Sequence, residues 1–191
     1  MKSVIPKKLI LIGASTGGPG QIEKILSFLP PLQDTSIVIA QHMVHGFQES
    51  FASRLQSVTE NKVMMIQNKQ SFESNTIYVV QGTTQLNCSS LIFTISQSSK
   101  DSYNPDINTL FLSFVPLSKR TQILSVILTG IGSDGVEGCK ELSKHSAICI
   151  TESENSAIVD GMPNRARALV PNIQIKEMSE IITTISEFCD V

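Results

Sequence analysis

Three polar residues in this sequence each follow closely on a run of apolar ones. Ser15 comes after Leu9-Ile10-Leu11-Ile12, His42 after Ile37-Val38-Ile39-Ala40, and Asp134 after the ILSVIL run at 123–128. Serine, histidine and aspartate together suffice for acyl transfer: the hydroxyl attacks, the imidazole takes and returns its proton, and the carboxylate fixes the imidazole tautomer. The segment Gly13-Ala14-Ser15-Thr16-Gly17 has the G-x-S-x-G form of a nucleophile elbow, in which a tight turn thrusts a serine out of a strand-to-helix junction. Two other readings of that turn stay open. A glycine-rich turn can bind a dinucleotide pyrophosphate, although G-x-G-x-x-G would need glycine at Ser15, and a small-residue turn can be only a turn. His42 taken singly also reads as a packed or exposed histidine, and Asp134 as a turn residue or helix N-cap. The chain order Ser, His, Asp differs from that of the α/β-hydrolases, chymotrypsin and subtilisin, so a shared triad geometry would be convergent.

The elements that must position these residues follow from hydrophobic periodicity. Continuous apolar runs at 9–12, 36–40 and 123–128 suit parallel strands covered on both faces. After the first, Ile22, Ile25, Leu26 and Leu29 recur at helical spacing until Pro30-Pro31, which places Ser15 between a strand's carboxyl end and a helix's amino end. A second helix is predicted after Gly46, with Phe47, Phe51, Leu55 and Val58 on one face, and a short strand at 63–66. Segments 77–80 and 91–95, separated by polar turns, are expected to form an antiparallel hairpin or meander added to the sheet. Further helices are predicted on Ile107, Leu110, Phe111, Phe114 and Leu117, on Val136, Cys139 and Leu142, from Gly161-Met162-Pro163, and on Met178, Ile181, Ile182, Ile185 and Phe188; a strand is expected at 147–150. Strands alternating with helices specify an α/β fold: a doubly wound, mostly parallel sheet with helices on both faces and the hairpin as an addition. In such a sheet ligands collect at the carboxyl ends of the strands, where Ser15, His42 and Asp134 are all expected. The backbone amides of Thr16, Ile131 and Gly132 are candidate oxyanion donors beside them.

Composition narrows the class. The 191 residues are 41% hydrophobic and 17% charged with net charge −2, which fits one globular domain over 1–191 and gives no footing for nucleic-acid binding. Cys88, Cys139, Cys149 and Cys189 are scattered without a C-x-x-C pair, arguing against a structural zinc site and a disulfide scaffold and for reduced thiols in a cytoplasm. His45, three residues after His42, lacks the further ligands that a metal site would need. The apolar stretch after Lys7-Lys8 is too short to span a bilayer, and no signal-peptide cleavage site follows it. The polar stretch 96–102 reads as a loop.

With these residues assembled, the sequence resembles the catalytic domain of the CheB family of chemotaxis protein-glutamate methylesterases and glutamine deamidases. The resemblance rests on GASTGGP at 13–19, QHM at 41–43 followed by FQESFASRL at 47–55, LTGIGSDGVEG at 128–138 and GMP at 161–163. It implies that Ser15 is the nucleophile, His42 the general base and Asp134 the orienting acid. The implied substrate is a γ-glutamyl methyl ester on the cytoplasmic helices of a methyl-accepting chemoreceptor, with deamidation of glutamines by the same steps and no metal or organic cofactor. Family members usually carry an amino-terminal phospho-receiver domain, whereas this sequence starts eight residues before the first catalytic-domain strand, leaving open a receiver protein acting in trans. Ile131 stands where methionine is common and Gln85 where a histidine is expected, and residues 104–108 are a loose version of the family pattern. These departures lie outside the triad and bear on receptor recognition, which keeps a receptor-docking module with little catalysis as the alternative function.

Overall fold

The computed structural model describes residues 5–96 and 104–190, so most of the polar stretch expected as a loop lies outside the described residues. In chain order the elements are β1 (Lys8–Ala14), α1 (Gly18–Ser27), β2 (Thr35–Gln41), α2 (Gln48–Gln56), β3 (Lys62–Met65), β4 (Thr76–Val79), β5 (Thr83–Asn87), β6 (Ile92–Ser96), α3 (Ile107–Phe114), a 3-10 turn (Val115–Lys119), β7 (Gln122–Ile127), α4 (Val136–Lys144), β8 (Ile148–Glu152), α5 (Met162–Leu169), β9 (Gln174–Lys176) and α6 (Met178–Cys189).

Seven strands form one parallel sheet in the order β3-β4-β2-β1-β7-β8-β9. The continuous apolar runs have a direct cause, because successive residues of each central strand serve two cores. Leu9, Leu11, Val38 and Ala40 pack with Leu110, Phe111, Cys139, Leu142 and Ala166 of α3, α4 and α5. The intervening Ile10, Ile12, Ile37 and Ile39 pack with Ile22, Ile25, Phe51, Leu55, Ile181 and Ile185 of α1, α2 and α6. Helices therefore cover both faces, as the alternation of elements implies. β1 lies at the middle of the sheet, with β2, β4 and β3 on one side of it and β7, β8 and β9 on the other. That change of side makes the carboxyl end of β1 a topological switch point, where an α/β sheet opens a crevice.

The hairpin region differs in detail from expectation. Residues 76–79 form a buried parallel strand of the main sheet between β3 and β2, while the antiparallel pair is β5 with β6 and stands as a separate two-stranded sheet. Its inner side chains, Leu86 and Phe93, join Phe72, Tyr78 and Phe114 in the same core, with the Tyr78 and Phe93 ring centroids 5.3 Å apart. Phe47 does not share the buried face of α2; it precedes the helix and is 62% exposed. Leu117 belongs to the 3-10 turn after α3. β9 was not expected, since its three residues are too few and too exposed to leave an apolar run.

Candidate active site

Ser15, His42 and Asp134 follow the carboxyl ends of three adjacent strands, β1, β2 and β7. The parallel register carries each strand to nearly the same level, pairing Ala14 with Gln41 and Gly13 with Ile127. Main-chain bonds continue the ladder past the strand ends: the Ser15 amide donates to the Thr129 carbonyl (2.9 Å), and the His42 amide donates to the Ala14 carbonyl (2.9 Å). Gln41, the last residue of β2, is 2% exposed and donates its side-chain amide to the carbonyls of both Ser15 (2.8 Å) and His42 (2.7 Å). One carboxamide therefore ties the two strand ends together.

The turn after β1 needs its glycines. Gly17 caps α1 at φ 87°, in the left-handed region that glycine enters without steric cost. Gly130 has a different reason: a Cβ there would lie 2.6 Å from the Ser15 Cβ and would also strike the Met162 sulfur. Backbone of the β7 turn thus runs directly against the serine, with Met162 of the GMP segment behind it.

His42 and Asp134 are in contact. The imidazole Nε2 lies 2.7 Å from Asp134 Oδ2, and both side chains are about nine-tenths buried, at 9% and 10% exposure. Asp134 accepts three backbone bonds as well: Ile107 N–H to Oδ2 and Asn108 N–H and Gly135 N–H to Oδ1, each 2.9 Å. Ile107 and Asn108 open α3 and Gly135 caps α4, so the carboxylate sits where two helix amino ends converge. Burial by itself would raise its pKa, but the bond from His42 and the Ile107 and Asn108 amides outweigh burial and hold the group below the usual carboxylate range. Asp134 is therefore ionised and oriented beside the imidazole, and it is not the N-cap of α4, a position Gly135 fills. The loosely matching 104–108 segment supplies two of the three amides that hold it.

Thr16 lies next to the serine, and its carbonyl accepts from Thr129 Oγ1 (2.9 Å). Ile131 and Gly132 lie in the turn after β7, with Ile131 60% exposed and Gly132 at φ 88°. Among the described residues the amides of Thr16, Ile131 and Gly132 donate no backbone hydrogen bond, which leaves them available to an anionic oxygen. Gln85 is exposed on β5, opposite Thr94. Among the described residues no three His, Cys, Asp or Glu side chains converge to hold a metal ion, and no helix is long and apolar enough to cross a membrane. The four cysteines are free thiols.

Two sets of residues went unrecognised in the sequence. Gln41 had a signal, its place directly before His42 at a strand end. The second set, Glu152, Thr129 and Gln21, is assembled from β8, the β7 turn and α1, and no local spacing announces it.

The family model described as CheB methylesterase matches residues 10–185. The chain is 36% identical over 179 residues to the protein-glutamate methylesterase/protein-glutamine glutaminase of Halalkalibacterium halodurans, an alignment covering 90% of this chain and 51% of that protein. It is 35% identical over 191 residues to the protein of the same name from Bacillus licheniformis, covering 95% and 52%. The chain thus spans about half the length of the curated relatives it matches. Among solved structures, the Thermotoga maritima CheB methylesterase catalytic domain matches with a TM-score of 0.81 at 25% identity, covering 94% of this chain and 97% of that one.

Proposed function

The chain belongs to the CheB methylesterase family, and from that premise we propose that it hydrolyses glutamate γ-methyl esters, and deamidates glutamines, on the cytoplasmic helices of methyl-accepting chemoreceptors. We infer a cytoplasmic setting from those substrates and from the free thiols. The 191 residues are proposed to act as one catalytic domain.

The observation that carries the reading is the buried His42–Asp134 pair at 2.7 Å, set at the ends of the two strands that flank the serine's own. In the proposed reaction Ser15 Oγ attacks the ester carbonyl carbon while His42 accepts its proton. Nε2 faces Asp134, so Nδ1 is assigned the proton exchange with serine and leaving group. Asp134 holds the ring and balances the imidazolium charge. Oxygen charge in the tetrahedral intermediate is received by amides from the set Thr16, Ile131 and Gly132. The carbon–methoxy bond then breaks, methoxide leaves as methanol with the proton from His42, and water attacks the acyl-serine by the same base to release the glutamate carboxylate. On glutamine the carbon–nitrogen bond breaks and ammonia departs.

The experiment is methanol release from a methylated chemoreceptor cytoplasmic fragment, comparing the chain with its Ser15→Ala variant at matched concentration. Release by the parent and none by the variant is expected. No release by either, with both folded and binding the receptor, would replace this reading with a docking module.

A further inference from the structure

We propose that Glu152 is a positioning residue for the nucleophile turn, its carboxylate clamping Thr129 and Gln21 and through them the backbone of Ser15 and Thr16. This rests on the reading of Ser15 as the nucleophile.

Glu152 ends β8 and is fully buried. Its Oε2 accepts the Thr129 amide (3.0 Å), while Oε1 accepts Gln21 Nε2 (2.6 Å) and Ser156 Oγ (2.7 Å). A buried carboxylate is costly unless such donors compensate it. Burial still raises its pKa, against the opposing pull of Ser156, Thr129 and Gln21.

What these partners hold gives the clamp its meaning. Thr129 is itself fully buried; its carbonyl accepts the Ser15 amide, and its hydroxyl donates to the Thr16 carbonyl (2.9 Å) and accepts the Val159 amide (2.8 Å). Gln21 lies on α1, the helix into which the Ser15 turn feeds. One side chain thus grips the strand end that pairs with the serine and the helix that follows it. The serine is fixed from both ends without being touched.

The network also predicts which replacement restores it. Gln21 Oε1 is buried and has no hydrogen-bond partner among the described residues. With glutamine at position 152, Oε1 can still accept the Thr129 amide. The new NH2 can donate to Gln21 Oε1 after a half-turn of that amide, and to the Ser156 hydroxyl. Methionine fills similar space and offers neither partner.

The test compares parent, Glu152→Met, Glu152→Gln and Ser15→Ala by two readouts: the rate of Ser15 labelling with a fluorophosphonate, located by mass, and amide hydrogen exchange of peptides covering 13–22 against those of β2. Because small misplacements of reacting groups cost up to about a hundredfold, Glu152→Met is expected to label about ten- to a hundredfold more slowly. Exchange should rise in 13–22 and stay unchanged in β2, with Glu152→Gln near the parent in both. Parent-like behaviour of a folded Glu152→Met, or a Glu152→Gln as impaired as the methionine variant, overturns the proposal. If parent labelling does not exceed that of Ser15→Ala, the nucleophile reading fails, and the exchange comparison alone decides the clamp. Should Glu152→Met not fold, Thr129→Val keeps the amide but loses the bond to the Thr16 carbonyl. Unchanged labelling and exchange in that variant would equally overturn the proposal.

Discussion

Replacing Asp134 with asparagine separates the role of its charge from that of its shape. The carboxylate accepts four bonds, two per oxygen: His42 and the Ile107 amide on Oδ2, and the Asn108 and Gly135 amides on Oδ1. Asparagine keeps one oxygen. If that oxygen stays on Asn108 and Gly135, the new NH2 confronts one backbone amide; in the opposite orientation it confronts two. The first arrangement is favoured, since each unmet buried donor costs about 1–3 kcal/mol. The NH2 then faces His42 Nε2, which must become an acceptor, forcing the ring proton onto Nδ1, where it blocks uptake of the serine's proton. Loss of turnover on the order of 10⁴ follows, the scale of a wrong tautomer in a serine protease, equivalent to about 5.5 kcal/mol of activation free energy. Methanol release from methylated receptor fragment measures it, with melting followed in parallel. One unmet amide should lower the melting temperature by a few degrees in a chain of this size. Because the folded pKa of Asp134 is lowered, its stabilisation is complete above the ordinary aspartate value and is lost as pH falls through the folded one. The melting gap between parent and Asp134→Asn should therefore hold from pH 7 to 5 and close below about pH 4. Turnover within tenfold of the parent in a folded Asp134→Asn would refute the tautomer argument.

Gly130→Ala would put a methyl 2.6 Å from the Ser15 Cβ; overpacking of about 1–3 kcal/mol is expected, read as a lower melting temperature, together with at least a tenfold loss of methanol release. Ile131→Pro removes one candidate oxyanion amide from an exposed position, and turnover should fall by about 10²–10³, whereas unchanged turnover would take that amide out of the reaction. Glu152, whose pKa is raised chiefly by burial, reverses the sign worked for Asp134: its favourable contribution is present below the unfolded glutamate pKa and is lost as pH rises through the folded one. Relative to the parent, Glu152→Gln should accordingly melt higher at pH 8, with the difference shrinking toward pH 4, and a gap that widened in acid would contradict this.

Much of the molecule was legible from local pattern. A strand buried on both faces is apolar at nearly every position, with only the small buried Ser36 and Ser125 interrupting these runs, so 9–12, 36–40 and 123–128 announced themselves, and with them the polar residues just beyond their ends. Helices with one buried face kept their three-to-four spacing, as in Ile107, Leu110, Phe111 and Phe114. Short runs were less informative: four apolar residues at 77–80 fit a hairpin or a parallel strand equally, and the choice fell to the gap between β3 and β2 in the sheet. Phe47 kept the spacing of its helix but stands before its first turn, where no neighbour covers it. What only the tertiary structure decided are the contacts between distant segments: Asp134 held by the first amides of α3, and Glu152 joined to Gln21 across 131 residues of sequence. Sequence alone determined the central strands β1, β2 and β7 and which side chains stand beyond their ends, because burial and periodicity are written locally. The pairing of those ends depends on strand order and register, which arise when two cores close on one sheet, and no single segment encodes that closure.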